Sequence, residues 1–401
     1  MSGRFETARK AKPPKPPREK KPRKKLQRPG WKTLLLLILN ITLAALSVLC
    51  AARLTEYRNL LRTQEAADRW RGQSEERFAQ VSAFLPVNGK IDLDTIRSFR
   101  VTLEDEFVQN SIFAPEPDAQ DPSADTSARL YADAYSGSTQ LSVSGKSPGS
   151  VTVTAIGVGG DYFLFHPLQL LSGGYVSDED YMADRVVLDA QTAFNLFGSS
   201  DVAGMEVTIN GKTFPIAGVV KSEDDFATAA ALDAGAEASS DPTGVQSASK
   251  AMIYMSYAAL NAMAELPINC YEIVLPDPVS GFAKKLMTEK FPVGEGVIVQ
   301  NTGRFSLSGL ISVIGKFGKR AMTTNGVIYP YWENAARMAE SYAALLLILG
   351  TLFGLMPAVC LTIVLVKLTV REIKRGYYKA AHAIEDRVEE NKRKHYVSGG
   401  I

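Results

Sequence analysis

Two glycine-rich stretches between residues 157 and 175 have the composition of a phosphate-binding site. Residues 157–160 read GVGG, and glycine loops of this kind wrap phosphates with their backbone amides. Residues 171–174 read LSGG, four letters that also occur in the signature of nucleotide-hydrolysing ATPases. If both stretches served that chemistry, the chain would bind ATP.

The surrounding sequence argues against nucleotide binding. The phosphate loop of such an ATPase needs the pattern Gly-x4-Gly-Lys-Ser/Thr. The nearest text is SGKS at residues 144–147, and Gln140 stands where the first glycine is required. We therefore expect no nucleotide and no other cofactor. Gly157 and Gly173, with the glycines beside them, are instead expected to end strands and to permit turns with positive φ.

The residues that could act as acids, bases or metal ligands are few. Residues 178–185 read DEDYMADR, and Asp161 and His166 lie nearby in sequence. Acidic clusters on a loop are usually solvated, whereas an acid–base pair needs burial and convergent geometry. His166 is the only histidine before residue 382, so a histidine-rich metal site is excluded there. We expect a structural His166 with a hydrogen-bonded ring, and no enzyme activity.

Membrane packing is the chemistry that the residue spacing favours. Gly350 and Gly354 stand four apart in GTLFG, and small residues at that spacing let two apolar helices approach closely. Asn40 lies inside another apolar run, where its amide needs a hydrogen-bond partner. Pro357 is expected to kink its helix. The sequence therefore predicts transmembrane packing contacts at Asn40, Gly350 and Gly354.

Two long apolar runs must position these residues. Residues 31–52 and 342–366 are each long enough to cross a hydrocarbon layer about 30 Å thick, and neither carries a charge in its interior. A basic leader of 30 residues is too long for a signal peptide, so the first run is expected to be an uncleaved anchor.

Charge is distributed very unevenly around the two runs. Residues 1–32 carry 13 basic and two acidic side chains, residues 367–401 carry nine basic and five acidic ones, and the remainder has a net charge of −13. The positive-inside rule then places both ends in the cytoplasm and the acidic middle outside. The basic, proline-rich segment 1–30 directly precedes a span, so anionic lipid headgroups are its expected partner, rather than nucleic acid.

These signals divide the chain into five parts. We predict a cytoplasmic tail, a transmembrane helix, an outer domain, a second transmembrane helix and a second cytoplasmic tail, at 1–30, 31–52, 53–341, 342–366 and 367–401. The cysteines Cys50 and Cys360 fall in the spans, so Cys270 is alone in the outer domain and no disulfide can form within it.

Helix signals are clear at two places in the outer domain. Residues 53–82 are strong helix formers and predict a stalk helix that continues from the first span. Residues 93–109 predict a second helix capped by Asp92 or Asp94. Residues 221–250 are rich in alanine, serine and acids without a lasting period, and predict a mobile insertion, helical near 225–233.

Strand signals alternate with the helices. A turn is predicted at residues 136–137. Residues 184–198 predict a short strand followed by a helix that Asp189 caps and Gly198 ends. Asn210 and Gly211 have the turn chemistry of a type I′ hairpin over residues 204–220. With the strands and helices after residue 250, the pattern predicts an α+β domain.

The order of these elements resembles the outer core domain of MacB-type ABC transporter permeases. In that family a strand, a YF segment, a glycine before a loop, a VV/VL strand, a helix ending in Leu-Phe-Gly and a closing hairpin follow in this order. The matching residues here are Gly157, Tyr162, Phe163, Gly173, 185–188, Leu196, Phe197, Gly198, Gly204, Asn210, Gly211 and Gly218. The resemblance implies an extracytoplasmic mixed α/β domain of MacB core type between two transmembrane helices.

The resemblance also implies a membrane subunit that is not itself an enzyme. In the family, a separate cytoplasmic domain or subunit hydrolyses ATP, and the spans pass the resulting movement to the outer domain. The implied partners are an ABC ATPase subunit and a second permease subunit. Family permeases usually have three spans after the outer domain, whereas this chain has one, followed by a helical tail, so self-sufficient transport is in doubt.

Two other functions stay open at this point. An envelope scaffold or sensor could use the same outer domain without any ATPase. A polysaccharide chain-length regulator shares the two-span layout, but such a protein predicts a long coiled outer helix and a proline-rich second span. The strand-rich outer domain and the single proline of the second span place that alternative third.

Overall fold

A computed structural model describes residues 30–86, 88–89, 91–113, 129–145, 149–177, 183–238, 251–317, 323–324 and 326–398. The basic segment 1–29 therefore lies outside the described residues. The chain divides into two units, of which one comprises Met1–Ala45 and Met356–Ile401 and the other Leu46–Leu355.

Helices and strands alternate along the chain. The helices are α1 (Trp31–Arg58), α2 (Ala66–Arg71), α3 (Leu93–Gln109), α4 (Tyr162–Phe165), α5 (Ala190–Phe197), α6 (Phe226–Ala238), α7 (Tyr257–Ala264), α8 (Phe282–Lys290), α9 (Leu307–Ile314) and α10 (Tyr331–Ser398). The strands are β1 (Phe78–Phe84), β2 (Ala132–Ser144), β3 (Ser150–Gly160), β4 (Leu170–Gly173), β5 (Val186–Asp189), β6 (Glu206–Ile209), β7 (Lys212–Val220), β8 (Met252–Ser256), β9 (Cys270–Pro276), β10 (Val297–Gln300), β11 (Thr323–Thr324) and β12 (Val327–Ile328).

One large mixed sheet organises this unit. Its order is β10-β1-β9-β2-β3-β8-β5-β7-β4, and β6 pairs with both β2 and β7. The pairs β3–β8 and β5–β7 are parallel, and the other neighbours along this order are antiparallel. The sheet thus joins residues that are far apart in sequence, since β1 and β10 lie at opposite ends of the outer domain.

The sheet has a layer of helices on each of its two faces. One face packs against α3, α5, α7 and α8 through a cluster that includes Phe99, Leu103, Leu260 and Met287. The other face packs against α2, α4 and the start of α10, in a cluster that includes Trp332. Alternation along each strand supplies both faces with apolar side chains. The result is the mixed α/β domain that the sequence predicts.

Several local predictions are confirmed. Helix α3 covers the predicted residues, and the Asp92 carboxylate accepts the backbone hydrogen bond that caps it. Asp189 caps α5 in the same way, and Gly198 ends it in a left-handed conformation. Strands β6 and β7 form the predicted hairpin, with φ of 47° at Asn210 and 78° at Gly211, as a type I′ turn requires.

Two predictions of secondary structure are wrong. The stalk helix does not cover residues 53–82, because α1 ends at Arg58, α2 ends before Gly72, and β1 follows. Helix propensity in this segment is overridden by sheet pairing on both sides of β1. No turn occurs at residues 136–137, which lie within the continuous strand β2. Gly137 is instead needed for close approach, since a Cβ there would collide with the carbonyl of Pro267.

The glycines of the opening stretch divide into two kinds. Gly160 and Gly173 have positive φ, as predicted. Gly157 and Gly159 lie within β3 without positive φ. An added Cβ at Gly159 would overlap the ring of Tyr135, so the absence of a side chain serves packing rather than a turn. The LSGG letters fall mainly in β4, an edge strand paired with β7.

The helix predicted near residues 225–233 is confirmed. Residues 226–238 form α6, which buries Ala227, Ala231 and Leu232. The remaining residues 239–250 lie outside the described residues. Two helices are long and apolar enough to cross a membrane, within Trp31–Arg58 and Tyr331–Lys392. Pro357 lies inside α10 without ending the helix.

Candidate functional site

A buried arginine lies where the chain leaves the sheet and approaches α10. Arg304 follows β10, is 8% exposed, and faces two glutamates on α10. Its Nη1 and Nη2 lie 2.6 and 3.0 Å from the carboxylate of Glu333, and its Nε and Nη2 lie 2.9 and 3.1 Å from that of Glu340. Nη1 also donates to Gln64 Oε1 at 3.0 Å. All five N–H donors of the guanidinium are thereby used.

The electrostatics of this cluster are those of a paired buried charge. Burial by itself would lower the pKa of Arg304, but the carboxylates of Glu333 and Glu340 raise that pKa above its ordinary value. Arg337, one helical turn after Glu333, adds a contact of 3.5 Å to the same carboxylate. The guanidinium therefore keeps its charge, and it can pair with both carboxylates of α10.

The arginine cluster continues into the sheet through amides and a hydroxyl. Gln64 Oε1 also accepts from Asn301 Nδ2 at 2.9 Å. Ser82 Oγ, on β1, lies 2.9 Å from Asn301 Oδ1 and 3.1 Å from Glu272 Oε1, on β9. Glu272 Oε2 in turn lies 2.6 Å from His166 Nε2. A continuous set of buried polar contacts thus joins α10 to two central strands.

A second set of contacts holds the segment that follows α1. Gln80, on β1, donates to the carbonyl of Thr63 at 2.8 Å and accepts from the amide of Ala66 at 3.0 Å. The backbone amide of Gln80 donates to Thr302 Oγ1 at 2.8 Å. We call the segment 61–66, the turn 301–305 and residues 331–340 of α10 the neck. The segment that follows α1 and the turn that follows β10 are therefore both hydrogen-bonded to strand β1.

Aromatic rings surround the polar part of the neck. His166 stacks on Tyr162 with ring centroids 4.2 Å apart, and Trp332 meets His166 edge-on at 4.6 Å. The Tyr331 hydroxyl donates to Glu223 Oε2 at 2.6 Å. Burial raises the pKa of Glu223 above its ordinary value, and the hydrogen bond from Tyr331 opposes that rise. Tyr331 and Trp332 thus belong both to the neck and to the apolar cluster on this face of the sheet.

Helix α6 closes the neck on one side through small side chains. Ala227 and Ala231 pack with Ala335, Ala336 and Ala339 of α10 in a cluster that Leu61 completes. Alanines let the two helices approach closely, so a shift of α10 must also move α6 or break this contact.

The three predicted membrane-packing residues, Asn40, Gly350 and Gly354, do not all contact one another. An added Cβ at Gly350 would lie 3.2 Å from Cys50 Cβ, and one at Gly354 would lie 2.9 Å from Ser47 Oγ. Ser47 Oγ donates to the carbonyl of Gly350 at 2.9 Å. The two glycines thus lie against α1 of the same chain. Asn40 Nδ2 donates within its own helix, and its Oδ1 has no partner among the described residues.

The predicted fold-motif residues lie away from the neck, apart from the α4 pair. Tyr162 is buried and Phe163 half-buried in α4, next to His166. The others support sheet and helix geometry: Gly157 in β3, Gly173 and Gly218 where β4 meets β7, Leu196, Phe197 and Gly198 at the end of α5, Gly204 before β6, and Asn210 and Gly211 in the hairpin turn.

The remaining candidates for catalysis show ordinary structural partners. The imidazole of His166 is buried against Glu272, and Asp161 forms an exposed ion pair with Arg129 at 2.9 Å. Most of the acidic cluster, residues 178–182, lies outside the described residues. Within the described part of the chain, no group of three or more histidine, cysteine or acidic side chains could hold a metal ion.

Sequence reasoning missed the arginine cluster entirely. Glu333 and Glu340 stand seven residues apart, so they share one face of a helix. That face also carries alanines, and charged residues on a small apolar face are a signal of buried pairing. The partner Arg304 could not be found this way, because it reaches α10 only through the sheet.

Comparison with known proteins identifies the family to which the domain is similar. The family model for the MacB-like periplasmic core domain matches residues 57–266, slightly more than half of the 401 residues. No curated protein matches the sequence.

Two solved structures are similar to the chain at low identity. The periplasmic region of MacB from Actinobacillus actinomycetemcomitans is 16% identical, with a TM-score of 0.37, over 64% of this chain and 99% of that one. The extracellular domain of the ABC-type transporter YknZ from Gram-positive bacteria is 11% identical, with a TM-score of 0.31, over 52% and 88%.

Proposed function

The chain belongs to the family that carries the MacB-like periplasmic core domain, a family of ABC-type transporter permeases, and from this premise we propose how it works. We propose that it is a permease-like subunit that couples a separate cytoplasmic ATPase to the outer domain. Hydrolysis of ATP by that ATPase would move the outer domain, and this movement would serve either export of a substrate or control of partner proteins in the cell envelope.

The proposed topology follows the charge pattern. Both basic ends lie in the cytoplasm, residues 31–52 and 342–366 cross the membrane, and residues 53–341 lie outside. This arrangement puts the net charge of −13 on the outer side and satisfies the positive-inside rule at both spans. The basic segment 1–30 then faces anionic headgroups of the cytoplasmic leaflet.

The arginine cluster is the single observation that supports coupling best. Arg304 binds Glu333 and Glu340 of α10 and also Gln64, which follows the first membrane helix. A displacement of α10 along its axis would carry Arg304 and the end of β10 with it, because an unpaired buried charge is too costly to tolerate. Movement of the spans would thereby reach the sheet directly.

The cytoplasmic end of α10 is the proposed contact for the ATPase. Ile373, Tyr377, Ile384 and Val388 are exposed and recur at spacings of four and seven, so they line one face of the helix. With one span after the outer domain, the subunit would pair with a second permease. If the ATPase remains bound after deletion of residues 371–401, the tail is not its contact.

The test uses the full chain in nanodiscs, purified together with any ABC ATPase subunit that it binds in its native host. In a background without the native cysteines, spin labels at Asn261→Cys in the outer domain and Glu372→Cys in the tail report one distance by double electron–electron resonance. We expect that trapping the ATPase with vanadate changes this distance. The change should disappear when Arg304→Met, Glu333→Leu and Glu340→Leu are combined. If no ATPase co-purifies and vanadate leaves the distance unchanged, the chain is an ATPase-independent scaffold.

A further inference from the structure

A buried carboxyl group lies at the end of the polar contacts that run from the neck into the sheet. In order, the residues of this polar chain are Arg304, Gln64, Asn301, Ser82, Glu272 and His166. Glu272 and His166 are 3% and 2% exposed. Glu272 Oε1 lies 3.1 Å from Ser82 Oγ, and its Oε2 lies 2.6 Å from His166 Nε2. Ser82 Oγ also lies 2.9 Å from Asn301 Oδ1. Each of these three contacts needs one hydrogen atom.

The orientation of the two amides in the polar chain is fixed by Arg304. A guanidinium only donates hydrogen bonds, so the Gln64 atom that lies 3.0 Å from Arg304 Nη1 must be the amide oxygen. The Asn301 atom that lies 2.9 Å from this oxygen must then be the amide nitrogen. Asn301 therefore presents its own oxygen to Ser82, and an amide oxygen can only accept.

Ser82 cannot supply both of its contacts if Glu272 is ionised, because a hydroxyl carries a single hydrogen. If Ser82 donates to Asn301, the Ser82 oxygen faces a carboxylate oxygen with no hydrogen between them. If Ser82 donates to Glu272, the buried Asn301 Oδ1 is left without a donor. Within the described part of the chain, no other group donates to Asn301 Oδ1 or to Glu272 Oε1. One hydrogen is therefore missing from the polar chain.

We propose that Glu272 is a buried proton-binding site, in which the proton is carried on Oε1 and donated to Ser82. Ser82 then donates to Asn301, and the Nε2–H of a neutral His166 donates to Glu272 Oε2. Each of the three contacts then has one hydrogen, and no charge is buried at this end of the polar chain. The proposal requires neither an ATPase nor a second permease, so it stands or fails independently of the proposed coupling.

Other titratable groups face the site from the elements packed around it. Arg69, on α2, interacts electrostatically with Glu272, but its guanidinium donates to backbone carbonyls of α4. The groups that also interact electrostatically with Glu272 or His166 are Tyr162 on α4, Cys270 on β9 and Glu223 before α6. Among the described residues, none of these groups is hydrogen-bonded to Glu272. The hydrogens on its two oxygens are therefore decided by Ser82, His166 and the proposed proton.

Loss of the proton would interrupt the polar chain. Ser82 would then have to give up its hydrogen bond either to Glu272 or to Asn301, the residue that donates to Gln64 beside Arg304. The stability that the proton contributes is present at low pH and is lost as the pH rises past the point at which the proton leaves. The contact between β9 and the neck would thus respond to the pH around the outer domain.

The first test compares urea unfolding of Glu272→Gln and Glu340→Gln, each in the full chain in detergent micelles at pH 7. A glutamine at position 272 can donate to Ser82 and accept from His166, so it reproduces the hydrogen pattern of the protonated acid. We expect its unfolding midpoint to stay within about 0.3 M urea of the wild type. Glu340 is a buried carboxylate paired with Arg304, so the matched control Glu340→Gln should lower the midpoint by about 1 M or more. A loss of that size at position 272 would show that Glu272 is ionised and would overturn the proposal.

The second test detects the proton itself by infrared spectroscopy. A protonated carboxyl group has a C=O stretching band that a carboxylate lacks. We expect the wild type to show such a band at pH 7 that is absent from Glu272→Gln. Ser82→Ala should shift the band, because it removes the acceptor of the Glu272 proton, whereas Glu223→Gln should leave it in place. If Glu272→Gln fails to fold, the comparison of the wild type with Ser82→Ala still decides, since identical carboxyl bands in the two would overturn the proposal.

Discussion

Replacement of Arg304 by methionine is the most direct test of the neck. Methionine fills a similar volume but removes all five hydrogen bonds to Glu333, Glu340 and Gln64. Both buried carboxylates would then lose the guanidinium that bridges them, while Arg337 would keep its contact of 3.5 Å with Glu333. We expect the substitution to destabilise the outer domain strongly while leaving its apolar core intact.

The size of the effect follows from the buried charges rather than from the number of hydrogen bonds. Removal of one partner of a buried ion pair costs about 3–5 kcal/mol. The loss is bounded, because each stranded carboxylate can take up a proton, which costs about 4 kcal/mol per glutamate at pH 7 and therefore about 8 kcal/mol for the two.

The assay is urea unfolding of the full chain in detergent micelles, followed by tryptophan fluorescence, to which the buried Trp332 contributes. We expect Arg304→Met to lower the unfolding midpoint by roughly 1–3 M urea. Combination with Glu333→Leu and Glu340→Leu should restore most of the loss, because apolar replacement of a whole buried ionic group is often neutral.

The matched control is Arg97→Met, which breaks an ion pair with Asp94 whose side chains are 71% and 83% exposed. Its effect should stay below about 1 kcal/mol. Our account of the neck would be refuted if Arg304→Met and Arg97→Met gave equal losses, or if the triple variant were no more stable than Arg304→Met alone.

Three further perturbations test other parts of the structure. Gly350→Cys should form a disulfide with native Cys50 on mild oxidation, because a Cβ at position 350 would lie 3.2 Å from Cys50 Cβ, near the spacing of a disulfide; the readout is a mobility shift on non-reducing gels. Gly173→Ala should destabilise the domain by at least about 2 kcal/mol in urea unfolding, because φ is +71° and the new Cβ would collide with a backbone carbonyl. Glu223→Gln should flatten the dependence of stability on pH. Since burial raises the pKa of Glu223 above 4.5, wild-type stability falls as pH rises from 4.5 through that raised value, and glutamine cannot titrate.

Each of these perturbations has a control within the chain. A cysteine at position 351, which points away from Cys50, should give no disulfide, and equal oxidation at 350 and 351 would contradict the described contact. Gly174→Ala should be nearly neutral, because φ is not positive there and nothing lies within 4 Å of an added Cβ. For Glu223→Gln, the control is Asp224→Asn at the exposed neighbouring residue. If both substitutions changed the pH dependence of stability equally, Glu223 would be excluded as the group responsible for it.

Local chemistry was readable from the sequence wherever short-range geometry decides the structure. Asp92 and Asp189 cap helices, Gly198 ends one, and Asn210 with Gly211 closes a hairpin, because each of these roles needs one residue type at one backbone conformation. The apolar runs were equally clear, since length and the absence of charge suffice to predict a membrane span. The order of these signals also led to the correct family.

Long-range pairing decided what the sequence could not. Residues 78–84 have helix-forming neighbours, yet they form a strand because β9 and β10, about 200 residues further along the chain, pair with both of its edges. Gly137 and Gly159 resemble turn residues, yet they lie inside strands, where a neighbouring carbonyl or ring leaves no room for a side chain. No local pattern contains that information.

The candidate site depends most strongly on contacts between residues that are far apart in sequence. Composition and local pattern were enough to predict two apolar helices long enough to cross a membrane, an acidic middle domain between basic ends, and the family of that domain. They gave no sign that Arg304 meets Glu333, Glu340 and Gln64, because these residues come from three segments that only the closed sheet brings together. Burial then makes the pairing obligatory, since a guanidinium removed from water must find carboxylates. The tertiary structure alone therefore assigns the contact between the start of α10, the segment that follows α1 and the sheet.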